Sequence, residues 1–148
     1  MEGYNCFGCA PGNHAGLQLE FRYEQSCVLA EWKPSAHFAG YHQVLHGGVQ
    51  AALADETAAW LVMVALDTSG MTSSLSIRYF RPLFVNDIHI KICASLASST
   101  KKEANVLVSL ADSRGDICSL ADVCFSVFPP ALARKKLHFP GREAFLGN

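Results

Sequence analysis

The chain has 148 residues and a mass of 16.1 kDa, about the length of one domain and enough to bury a hydrophobic core without disulfide staples. Charged residues make up 17% and apolar residues 50%, against a usual ~25% charged, which excludes disorder and points to apolar surface reserved for a subunit interface or a groove. Twelve Lys and Arg against thirteen Asp and Glu leave a net charge of −1, so no global field draws the chain to nucleic acid or to an anionic membrane.

The opening stretch, MEGYNCFGCAPGNH, has neither a basic region nor an apolar run, so it does not read as a secretory signal and a cytoplasmic location is expected. The six cysteines then read as reduced thiols rather than a disulfide framework. Cys6-Phe-Gly-Cys9 reads first as a pair of structural thiols in a tight turn; half of a zinc site, with His14 as a further ligand, is the lesser reading. No second C-x-x-C completes such a site, so no metal is expected.

Alternation with period two marks the strands in chain order. Leu17, Leu19, Phe21 and Tyr23 form a first run, and Cys27 to Trp32 a second, joined as a hairpin by Glu24-Gln25-Ser26. Later runs are Ser74 to Phe80, Ile88 to Leu96, Ala104 to Ala111 and Ile117 to Phe128, with Asp112 to Asp116 composed as a hairpin loop. Pro129-Pro130 ends the sheet. The tail beyond it, with Arg134, Lys135, Lys136 and Arg142 against Glu143, reads as a solvated extension, or as a segment near ligand phosphates or a subunit contact.

Between the second and third strands, Val49 to Leu66 is one helix, opened by Gly47-Gly48 and closed by Asp67 to Gly70. Fourteen of its 18 residues are apolar and six are alanine, so it is expected to be buried nearly all round, and its embedded polar residues argue against a membrane span. The order β-β-α-β-β-β-β makes an α+β domain in which an antiparallel sheet wraps one long helix, with residues 1–16 and 129–148 as arms on a single domain spanning 1–148.

A carboxylate in such a helix is an anomaly, because burying it without partners is costly. Asp55 and Glu56 stand ~100° apart around the axis and so face different surroundings. Asp55 is flanked by Ala51, Ala52, Ala58 and Ala59, a shallow shelf with room for a substrate or for a helix across a dimer; Glu56 has Leu53 and Trp60 beside it and is expected to be tied up in hydrogen bonds. His46-Gly47-Gly48 stands where the first N–H groups of the helix lack intrahelical acceptors, which is the geometry of an oxyanion hole and equally of an ordinary helix cap. Asp55 lies ~10 Å further along the helix, so one active centre using both requires two chains.

His46-Gly47-Gly48-Val49 followed by Leu53-Ala54-Asp55-Glu56-Thr57 resembles the H-G-G…L-D-E signature of PaaI-like acyl-CoA thioesterases of the hotdog fold. Tyr4-Asn5-Cys6-Phe7-Gly8-Cys9 with Gly16-Leu17, and the strand ending Arg78-Tyr79-Phe80-Arg81-Pro82, resemble further segments of the same family, so the likeness runs from Tyr4 to Phe128. It implies hydrolysis of an acyl-CoA or related pantetheine thioester in a homodimer or a dimer of dimers, with no cofactor beyond the coenzyme A of the substrate. It implies that the Gly47 N–H polarises the thioester carbonyl, that Asp55 of the second subunit is nucleophile or general base, and that Thr72 orients the carboxylate or water. His46 is then an orienting or a structural residue. Gly48, Gly40, Glu56, Ser73, Arg78 and Arg81 are expected to border the substrate, the two arginines near its phosphates or else solvated. Many members carry Asn or Gln where this chain has Gly40, leaving His42 or Gln43 to take over. Two other readings stand beside hydrolysis: dehydration or hydration of an acyl thioester by His46 and Asp55, and acyl-CoA binding without catalysis.

Overall fold

The computed structural model describes residues 4–146. Its six-stranded antiparallel sheet contains β1 (Arg22–Glu24), β2 (Cys27–Trp32), β5 (Gly70–Tyr79), β6 (Ile90–Ser99), β7 (Glu103–Ala111) and β8 (Ile117–Val127), in the order β1-β2-β6-β7-β8-β5. A small ribbon of β3 (Ala39–Tyr41) and β4 (Val44–Leu45) follows a 3₁₀ turn at Ala36–Phe38 and leads into the long helix α1 (Gly47–Leu66). After the sheet come α2 (Pro130–Leu137) and the one-turn α3 (Glu143–Leu146).

Alternation along the strands supplies the inner face of the sheet. Val28, Ala30 and Trp32 of β2, Ile90, Ile92 and Ala94 of β6, Val106, Val108 and Leu110 of β7 and Ala121, Val123 and Phe125 of β8 are all buried. Against them α1 sets the stripe Gln50, Leu53, Ala54, Thr57, Ala58 and Leu61, the i, i+3, i+4 spacing of one helical face. Buried Thr57 satisfies its hydroxyl within the helix by donating to the Leu53 carbonyl at 2.7 Å. The helix is thus not buried all round, as its composition led one to expect: a single sheet covers only one side of a cylinder, and Ala51, Ala52, Asp55, Glu56, Ala59 and Met63 on the other side remain partly accessible. Among the described residues α1 alone is long and apolar enough to cross a bilayer, and here it is the central helix packed on the sheet.

Two further departures come from long-range contacts. Leu17 and Leu19 are buried as their alternation requires, yet the strand begins only at Arg22, because their N–H groups bond to the Phe7 carbonyl (2.7 Å) and the Gly8 carbonyl (2.8 Å) rather than to β2. The C-terminal segment is folded onto the molecule, not solvated along its length. Ala133 and Phe139 are buried, and Phe145 meets Trp60 of α1 edge-on with ring centroids 4.8 Å apart. Asp67, the left-handed residue that ends α1 (φ 48°), accepts the Arg142 N–H at 2.9 Å and lies 4.0 Å from the Arg134 guanidinium. Of the basic side chains of the tail, Arg134 thus approaches Asp67 and Arg142 approaches Glu143 at 3.7 Å, while Lys135 and Lys136 are exposed.

Candidate active site

The loop into α1 is organised by His46. Its Nδ1 accepts the Gly48 N–H at 2.9 Å, and its carbonyl accepts the N–H groups of Val49 and Gln50, so His46 is the cap of the helix. One consequence differs from the sequence expectation: the Gly48 N–H is already used, which leaves the Gly47 N–H as the first donor of α1 with no acceptor one turn back. A Cβ on Gly48 would lie 3.1 Å from His46 Nδ1, and one on Gly40 would lie 3.2 Å from His46 Cδ2. The absence of a side chain at Gly40 thus makes room for the histidine. His42 and Gln43 turn outward between β3 and β4, and Tyr41, not either of them, lines the adjoining groove.

That groove, ≈ 440 Å³, is bounded by Gly40, Tyr41, His46, Gly47, Gln50 and Tyr79. Three of these, Tyr41, Gln50 and Tyr79, were not among the expected site residues. Tyr79, on the edge strand β5, donates its hydroxyl to the Gly47 carbonyl at 2.8 Å, and burial raises its pKa above the ordinary tyrosine value, keeping it a donor. Gln50 is only 3% exposed and accepts the Ser119 hydroxyl at 3.0 Å, tying the first turn of α1 to β8. The signal for Gln50 was available, since an amide in an otherwise apolar helix requires a partner.

Asp55 stands on the side of α1 that faces β5. The Thr72 hydroxyl donates to Asp55 Oδ1 at 2.7 Å, so these two expected residues are brought together within one chain. β5 is irregular at this point: Thr72 pairs with Phe125 and Ser74 with Cys124, leaving Ser73 as the extra residue of a bulge with its hydroxyl on the Cys124 carbonyl at 3.0 Å. Ser73 is therefore engaged with β8, away from Asp55. Gly47 and Asp55 are eight residues apart on one helix, about 12 Å along its axis, and no bend closes that distance.

Glu56 points elsewhere again, accepting the Cys6 thiol on Oε1 at 3.3 Å, beside Cys9 and Tyr4. Burial pushes both the Cys9 thiol and the Tyr4 phenol well up from their ordinary values, with the Glu56 contact adding to the first and the Cys9 contact to the second. Arg78 lies over the Phe80 ring, 5.6 Å from its centroid, while Arg81 borders the groove and approaches Asp116 at 3.6 Å with most of its side chain in solvent.

An antiparallel sheet wrapped on one long helix, with a glycine-opened helix start and a carboxylate two turns on, is a hotdog fold. The model of the thioesterase superfamily matches residues 42–119, more than half of the chain, and the chain belongs to that superfamily. Among solved structures, a thioesterase superfamily protein designated RHA08564 is 22% identical with a TM-score of 0.73; the match covers 82% of this chain and 62% of that protein, so the chain spans less than two thirds of its length. The E. coli PaaI protein of the phenylacetic acid degradation operon is 18% identical with a TM-score of 0.69, covering 76% of this chain and 81% of PaaI. A Streptococcus mutans protein solved bound to acetyl CoA is 16% identical with a TM-score of 0.71, covering 86% and 95%. No curated protein matches the chain in sequence.

Proposed function

We propose that the protein hydrolyses an acyl-CoA or related pantetheine thioester to the free acid and thiol, at a site completed by a second copy of the chain. The observation that carries this reading is the Asp55 carboxylate, held by Thr72 of the edge strand on the alanine-flanked, partly accessible side of the central helix. A carboxylate positioned there has the two chemical options of thioester hydrolysis. It attacks the carbonyl carbon, expelling the thiolate and leaving an acyl–aspartyl anhydride that water opens, or it takes a proton from a water that attacks directly. In either case the carbonyl oxygen gathers negative charge, and the Gly47 N–H at the helix start is the donor suited to receive it.

Several observations support the sharing of that site between subunits. The 12 Å between Gly47 and Asp55 is too long for one thioester carbonyl in one chain. The protein exposes 8658 Å² where a compact monomer of its mass exposes about 7,400 Å². Met71, Tyr79 and Phe80 are half exposed or more, along and just beyond the edge strand that also holds Thr72. The S. mutans relative bound to acetyl CoA supports the substrate class. Against the dehydratase reading, His46 Nδ1 is occupied by the Gly48 N–H, so that nitrogen is not a free base.

The test is a screen of short, medium, long and aryl acyl-CoAs, following thiol release, with wild type and Asp55→Asn. Hydrolysis by the wild type that falls about 10²- to 10⁴-fold in the variant is expected. Turnover unchanged in Asp55→Asn overturns the assignment, and dehydration of a β-hydroxyacyl-CoA without thiol release replaces it.

A further inference from the structure

Outside the groove, one cluster of side chains has the donor set of a metal site. We propose that Cys6, Cys9 and Glu56 bind a single divalent cation of the zinc class, which clamps the N-terminal segment onto α1 one residue beyond Asp55. Their donor atoms all lie within 4.8 Å of one another: the two sulfurs are 3.3 Å apart, and Cys6 Sγ is 3.3 Å from Glu56 Oε1. Around a tetrahedral ion with Zn–S of about 2.3 Å and Zn–O of about 2.0 Å, the corresponding separations are about 3.8 and 3.5 Å. Those two pairs need to open by about half an ångström or less, and the Cys9–Glu56 pair, within 4.8 Å, has to close toward about 3.5 Å.

The third ligand is the part no spacing rule could supply. The C-x-x-C pair offers half of a site, and the donor that joins it is not His14 but a helix residue fifty positions away. The turn is shaped to admit that carboxylate. A Cβ on Gly8 would collide with Glu56 Cγ and Cδ, so the glycine leaves the space that the acid occupies. The backbone is held from both sides, through Ala10 N–H to the Cys6 carbonyl at 3.2 Å and through the Leu17 and Leu19 bonds to Phe7 and Gly8. The Cys9 N–H points at Cys6 Sγ at 3.4 Å, the kind of outer hydrogen bond that steadies a metal-bound thiolate.

Two thiolates with one carboxylate favour zinc or a similar borderline ion over magnesium or calcium, which take oxygen ligands. Binding replaces two thiol protons, so each ion taken up releases two protons to solvent. A fourth ligand has access, because Cys9 also borders a cavity of ≈ 510 Å³ that is lined by Tyr4 and Trp60.

The experiment titrates Co²⁺ into the reduced, metal-free full-length chain, with metal content of the protein as purified measured by mass spectrometry. One ion per chain, a sulfur-to-cobalt charge-transfer band, two protons released, and displacement of the cobalt by Zn²⁺ are expected. The band should vanish in Cys6→Ser/Cys9→Ser, and affinity should fall tenfold or more in Glu56→Gln, which keeps both thiols. No charge-transfer band in the reduced wild type overturns the site, as does a band that survives loss of both cysteines. Should the double variant fail to fold by circular dichroism, Glu56→Gln decides: unchanged affinity there overturns the three-ligand site. None of these readouts depends on hydrolysis, so failure of the metal site and failure of the thioesterase reading are separable.

Discussion

Thr72 Oγ1 donates to Asp55 Oδ1 across 2.7 Å, joining the edge strand of the sheet to the partly accessible side of the central helix. The bond engages one carboxylate oxygen, and under the proposed hydrolysis the other is left for chemistry. Removing it in Thr72→Ala should lower kcat about five- to tenfold with KM nearly unchanged, in line with about 1 kcal/mol for a partly exposed hydrogen bond. Thr72→Ser keeps the hydroxyl and should restore most of the rate; steady-state kinetics on the best acyl-CoA found in the screen decides it.

Tyr79 braces the start of α1. Its hydroxyl on the Gly47 carbonyl orients the peptide that begins α1, and a Cβ at Gly47 would come within 3.2 Å of the same oxygen. Tyr79→Phe should cost about 0.5–1.5 kcal/mol of stability in denaturant unfolding. It should also lower kcat severalfold through a misaligned Gly47 N–H, while a purely structural tyrosine would leave kcat unchanged.

Glycines of two kinds are separable by mutation. A Cβ on Gly70 would collide with the Ser126 carbonyl, which is backbone in the β5–β8 ladder, whereas one on Gly8 would meet only the flexible end of Glu56. Gly70→Ala should therefore destabilise by about 1–3 kcal/mol, and Gly8→Ala by less, with Glu56 displaced. Thermal melts of the two variants rank them.

An acid-sensitive tie lies far from the site, between the loop before β6 and the loop after β7. The Ser113 hydroxyl and N–H and the Ile88 N–H all donate to Asp87, and chiefly the Ser113 hydroxyl lowers its pKa below the ordinary 3.8. A folded value below the unfolded one means the stabilisation is complete above about pH 4 and is lost as pH falls through the lowered folded value. Asp87→Asn should flatten that part of the acid limb, measured as urea midpoints from pH 5 down to pH 2.5.

Asp55 stood out in the sequence as a candidate because a carboxylate amid alanines and leucines needs a partner, and Gly47 because the first N–H groups of a helix lack acceptors. Thr72 came only with the family resemblance. Tyr79 was not legible: on an alternating strand it reads as one more aromatic, and only the β5–β8 register with the approach of α1 brings its hydroxyl to Gly47. The partner of Cys6 and Cys9 was hidden for a similar reason, since Glu56 reaches them by tertiary packing across fifty residues. Leu17 and Leu19 show the same limit in the fold, where alternation forecast burial correctly but not which backbone they would bond to.

The strand order carries a consequence for how the chain reaches this structure. β6, β7 and β8 are neighbours in sequence and can zip as successive hairpins, but Val28 pairs with Ala94 and Gly70 with Val127, segments 66 and 57 residues apart. Both outer pairings close long loops, and α1, which lies between β2 and β5 in sequence, has to dock on the nascent sheet as those loops close. Refolding should accordingly fall in the millisecond-to-second range typical of non-local β topologies. Until β5 joins β8, the residues that carry Thr72 and Tyr79 form a free strand, and a second copy of the chain competes for it.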